Sequence, residues 1–80
     1  MTYKIVKNGQ TVKANSLTKE EAINQLAIIA DDCAMATNYY LTDENHTITN
    51  PDSKRVIFEA GEESATIGDN SFEIVEENED

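Results

Sequence analysis

Cysteine is almost absent from this chain: Cys33 stands alone, so no intramolecular disulfide can form and a stapled secreted mini-protein is excluded. The reducing cytoplasm is the expected compartment. Tryptophan is missing, proline occurs once at Pro51, and the three glycines are scattered at 9, 61 and 68 with no phosphate-cradling loop among them. No apolar run approaches the roughly 18 residues of a membrane span. The opening Met1-Thr2-Tyr3-Lys4-Ile5-Val6-Lys7 breaks at Asn8-Gly9, too early for a secretory leader. Without such a leader, the glycosylation pattern Asn45-His46-Thr47 reads as a chance match. Eighty residues hold one small domain and exclude a multidomain enzyme.

Basic residues are scarce too. Six Lys and Arg face sixteen Asp and Glu, a net charge of −10 with a pI near 4.3. Direct binding to nucleic acid or to an anionic membrane is therefore not expected; a basic protein surface is the matching partner. The charge is also segregated. Residues 1–19 hold Lys4, Lys7, Lys13 and Lys19 and no acid, while residues 20–80 hold every acid against Lys54 and Arg55, a local charge of −14.

The 39% apolar content is modest, yet two patterned segments specify structure. Thr2–Lys7 alternates, Thr11–Ala14 is a second β-prone run, and Asn8-Gly9 between them supplies the positive φ that a primed hairpin turn needs. Thr18-Lys19-Glu20-Glu21 then has capping-box spacing, which predicts a helix from Thr18 to about Thr37. At 100° per residue, Ala22, Ile23, Leu26, Ile29, Ala30, Cys33, Ala36 and Thr37 share the expected core stripe. Ile28 and Met35 fall on the opposite, acidic face, either covered by another part of the chain or left for a partner. Asn38 is the expected C-cap.

Beyond the helix the pattern becomes β. Tyr39–Thr42, His46–Thr49, Arg55–Ala60, Ser64–Ile67 and Ser71–Val75 are short strand candidates separated by turn residues. The expected class is α+β: an N-terminal β-hairpin, then one central helix packed on an antiparallel β-meander of four or five short strands. Residues 1–75 form the compact domain in this reading, and Glu76–Asp80 a self-repelling acidic disordered tail.

No constellation of residues points to catalysis. Cys33 and His46 are the only nucleophile and base of their kinds, and a thiol on an apolar stripe is disfavoured from ionising. Asp69-Asn70-Ser71 with Glu73 is the nearest approach to a calcium loop but lacks the spacing of an EF-hand. The chain reads as non-enzymatic, with no catalytic residue, no metal ligand and no cofactor assigned.

The acids carry the functional expectation. Glu20, Glu21, Asp31 and Asp32 on the helix, with Asp43, Glu44, Asp52, Glu59, Glu62, Glu63, Asp69 and Glu73 on the meander, can imitate a run of phosphates. Duplex DNA carries one charge per about 1.7 Å, so carboxylates on a rigid scaffold can fill a Lys/Arg-lined groove. Tyr39, Tyr40, Ile28 and Met35 are the candidate apolar anchors beside them.

The opening Tyr3-Lys4-Ile5-Val6-Lys7-Asn8-Gly9-Gln10, followed by Leu17-Thr18-Lys19-Glu20-Glu21-Ala22, resembles the hairpin-then-helix start of small acidic proteins from phages and mobile elements of low-GC Gram-positive bacteria. That group includes anti-CRISPR proteins and other DNA-mimicking inhibitors. The resemblance implies a non-enzymatic inhibitor acting in the bacterial host cytoplasm on a basic nucleic-acid-handling protein, most concretely a CRISPR effector nuclease. The alternative is a phage or prophage structural or regulatory domain that self-associates as a homodimer, its acidity serving solubility.

Overall fold

The computed structural model describes residues 2–41 and 46–77. Its elements run β1 (Thr2–Lys7), β2 (Gln10–Leu17), α1 (Lys19–Ala36), β3 (Tyr40–Leu41), β4 (Ile48–Thr49), β5 (Val56–Phe58), β6 (Ser64–Ile67) and β7 (Asn70–Glu77). The chain is α+β, with one helix laid on antiparallel sheet.

The hairpin forms where the sequence predicts it. Asn8 and Gly9 both adopt positive φ, 51° and 86°, which matches the right-handed twist of the flanking strands. Asn8 also ties this turn to β7: its backbone N–H donates to the Ser71 carbonyl at 2.8 Å, and its Oδ1 accepts from the Ser71 N–H at 2.8 Å.

The helix begins with the full capping box. Thr18 Oγ1 accepts from the Glu21 N–H at 3.1 Å, while Glu21 Oε1 accepts from the Thr18 N–H at 2.9 Å. At the other end the cap is Thr37, one residue before the expected Asn38. Asn38 follows in the left-handed region at φ 62°, and the Tyr39 N–H closes back on the Ala34 carbonyl at 2.9 Å, a Schellman arrangement.

The buried stripe of α1 is rotated from the expected one. Ala22, Leu26, Ala27, Ala30 and Ala34 are buried, Ile29 and Cys33 pack at its margin, and Ala36 is exposed. The face against the sheet is therefore made of alanines around a single large residue, Leu26. The wider Ile29 and Cys33 are displaced to the flank, because the small side chains give the shorter approach to the strands.

The expected single meander divides into two sheets. Strands β3, β4 and β5 form a small three-stranded meander, whereas β6 and β7 turn back and join the hairpin in the order β2-β1-β7-β6. This follows from β1 and β7 having matching apolar alternation. Their register pairs Ile5 with Ile74 and Lys7 with Phe72, so both strands present one apolar face to α1.

The same pairing corrects the expected tail. Glu77 lies opposite Thr2 and Glu76 opposite Tyr3, so both residues belong to a strand, and the ladder with β1 outweighs their local charge repulsion. Residues 78–80 lie outside the described part. Ile5, Leu26, Ile67 and Phe72 join Ile48 and Phe58 from the smaller sheet in one core cluster, which makes the two sheets a single packed unit.

Candidate partner-binding surface

Acids from three separate elements meet at one end of the molecule. The Lys19 ammonium lies 3.0 Å from Glu63 Oε1, which joins the first turn of α1, bearing Glu20 and Glu21, to the β5–β6 turn. That turn also carries Glu59 and Glu62, whose Oε2 accepts from the Glu59 N–H at 2.8 Å. The Glu63 carbonyl accepts from the Ile74 N–H at 3.1 Å, which brings in the last residues of β7. Tyr3 pairs with Leu17 on one side and Glu76 on the other, so Glu76 and Glu77 reach the same end as the start of α1.

Six carboxylates, Glu20, Glu21, Glu59, Glu62, Glu63 and Glu76, thus lie at the end of the fold that holds the start of α1, whereas Glu77, like Glu73, turns to the far side of the sheet. Of these acids Glu63 acts on Lys19: its hydrogen bond, and then its charge, raise the ammonium above its ordinary 10.5. The basic start of the chain is accordingly not one separate patch. Lys19 closes onto the acids, while Lys7 lies 5.7 Å over the Phe72 ring, near the opposite end of the sheet.

The other candidate acids are dispersed. Glu73 pairs with Val6 and Ser64, and since Phe72 and Ile74 face α1, the alternation of β7 turns Glu73 to the far side of the sheet. Asp69 sits in the β6–β7 turn beside the Asn8-Gly9 turn, at the other end from Glu63. Asp52 lies in the β4–β5 turn, where its N–H donates to Asn50 Oδ1 at 2.8 Å. Asp31 is held by His46 Nδ1, and Asp32 is exposed on the flank of α1. Asp43 and Glu44 lie outside the described residues. The continuous acidic array expected over helix and meander therefore resolves into one dense end and scattered single charges.

Among the candidate anchors, Ile28 is 48% and Met35 66% exposed on the outer face of α1, and no described part of the chain covers them. Tyr39 differs from its expected role. It is half-buried and packs against the core, its hydroxyl beside Gly68. Tyr40 pairs through its backbone with Thr49, and its side chain lies outside the described part. Glu76 is absent from the candidate acids read from sequence because a run of acids looks like a tail until its strand partner is known.

The one thiol and the one imidazole are not brought together. Cys33 Sγ accepts from the Asn70 amide at 3.4 Å, and His46 is engaged with Asp31. Among the described residues, no three His, Cys, Asp or Glu side chains are grouped to hold a metal ion, and no helix is long and apolar enough to cross a membrane.

No family model, no curated protein and no solved structure matches this chain.

Proposed function

We propose that this chain is a non-enzymatic inhibitor that occupies the basic nucleic-acid groove of an enzyme, most concretely an anti-CRISPR protein acting on an RNA-guided nuclease in the bacterial cytoplasm. The observation that supports this reading is the gathering of Glu20, Glu21, Glu59, Glu62, Glu63 and Glu76 at one end of the fold. Carboxylates fixed on a helix terminus, a turn and a paired strand are ordered before binding. Each can replace a phosphate against Lys or Arg and release the same counterions.

The test is displacement of a labelled target duplex from a CRISPR effector nuclease, followed across a salt series. The native chain is expected to compete, more weakly as salt rises. The triple substitution Glu20→Gln, Glu59→Gln and Glu76→Gln should abolish competition, whereas Asp69→Asn at the other end should leave it intact. Binding indifferent to salt, or equal losses from both variants, overturns the reading.

A second reading is self-association through the outer face of α1, and the exposure of Ile28 and Met35 favours it. Sedimentation separates the two: a dimer that persists in high salt and dissociates on Met35→Lys supports the second.

A further inference from the structure

A groove of about 440 Å3 opens between the hairpin and the C-terminal half of α1, at the end of the sheet remote from Glu63. Val12, Ile29 and Phe72 supply apolar walls, and Cys33 is also part of the lining. Two polar side chains of the lining are committed within the fold. Thr37 Oγ1 donates to the Cys33 carbonyl at 2.9 Å, and the Asn70 amide donates to Cys33 Sγ and accepts from Asn8.

Two charges in the lining have no ion-pair partner among the described residues. Lys7 on β1 lies over the Phe72 ring, a contact that leaves its charge unneutralised, and Asp32 stands on α1. The groove therefore offers an apolar body with one unpaired cation and one unpaired anion. An apolar carboxylic acid would satisfy Lys7 but meets Asp32 and a chain of net charge −10. An apolar amine would satisfy Asp32 but meets Lys7. A molecule bearing both charges beside an apolar group satisfies both, and its zero net charge removes the long-range repulsion.

We propose that this groove binds a free apolar α-amino acid, its carboxylate on Lys7, its ammonium on Asp32 and its side chain among Val12, Ile29 and Phe72. The volume lies within the range of small-molecule sites and exceeds what such a ligand fills. This site is independent of the acidic end and of the inhibitor reading.

Cys33 reports occupancy. The rate of its alkylation by iodoacetamide at pH 7 is measured with L-leucine, L-methionine or L-phenylalanine, and with isopentylamine and 4-methylpentanoate, which are leucine without its carboxylate and without its ammonium, as singly charged controls. At least one amino acid is expected to slow the reaction about tenfold when present at about ten times its dissociation constant. The controls are expected to bind about tenfold more weakly, since each lacks one charge-assisted contact. Lys7→Met should erase the preference for the amino acid over the amine, and Asp32→Asn its preference over the acid. Both substitutions lie at solvent-accessible positions, and a urea midpoint confirms that each variant folds. Absence of protection by all three amino acids at about 10 mM, a generous limit for ligands of so few atoms, overturns the proposal. So does equal protection by the controls.

Discussion

His46 Nδ1 is hydrogen-bonded to Oδ2 of Asp31, fastening the segment that leads into β4 to the outer side of α1. The Asp31 side chain is only 17% exposed, and its second oxygen is buried without a partner among the described residues. A carboxylate in that setting depends on its one partner. His46→Ala is therefore expected to cost about 1–3 kcal/mol, the penalty for a polar group left buried and unpaired. Asp31→Ala combined with His46→Ala should cost less than the two single changes added together. Urea unfolding of the four proteins in the cycle checks this, and strict additivity would show the contact to be energetically idle.

The ion pair between Lys19 and Glu63 makes a different prediction, because both side chains are more than half exposed. Solvent screening leaves such a pair little weight in total stability. Its signature is in the pH dependence. The Lys19 ammonium is raised above its ordinary 10.5, so the folded state holds this proton more tightly than the unfolded state does. The contribution is present in full below 10.5 and is lost as pH rises through the folded value. Glu63→Gln should therefore narrow its stability gap from the native chain above pH 10.5, read from urea midpoints at several alkaline pH values. A gap that stays constant across that range contradicts the assignment.

Local signals explain why so much of the first half was legible. Asn8-Gly9 and the Thr18/Glu21 box act within four residues, and both are formed as the sequence predicts. The division into two sheets was not legible, since it depends on β7 pairing with β1 across nearly the whole chain. The rotation of α1 was hidden for a related reason. A 100° projection finds the apolar side of the helix, but the choice between its alanines and its isoleucines is made by the sheet it lies on. Acid clustering depends equally on long-range contacts, because Glu20, Glu62 and Glu76 are far apart in sequence.

Core packing predicts that the two sheets unfold together. Phe58 belongs to the three-stranded sheet yet is 1% exposed, in the same cluster as Phe72 and Ile5 of the larger sheet. Phe58→Ala is expected to destabilise by about 3–5 kcal/mol, through lost burial and the cavity left behind. In a chain this small, that is a large fraction of the whole. The loss should appear in one transition, with fluorescence and circular dichroism coinciding. Separate transitions would mean that the small sheet folds apart from the large one.

The last residues of β7 give the sharpest contrast between a tail and a strand. Glu76 is paired with Tyr3, and Tyr3 with Leu17 just before the Thr18 cap, so this short stretch links β7, β1, β2 and the entry to α1. A disordered acidic segment would accept proline at residue 77 without effect. A paired strand would not, because the register that bonds Asn8 to Ser71 also puts Thr2 and Glu77 in a hydrogen-bonded position, and proline removes that backbone donor and fixes φ near −65°. Glu77→Pro is therefore expected to lower stability by about 0.5–1.5 kcal/mol, the net worth of one ladder hydrogen bond. It should also speed hydrogen exchange at the amides of Thr2 and Lys4. Glu76→Gln leaves that backbone bond in place and removes only charge from the crowded end, so it should leave exchange unchanged and raise stability slightly at low salt. If Glu77→Pro and Glu76→Gln behave alike, the strand ends before Glu77.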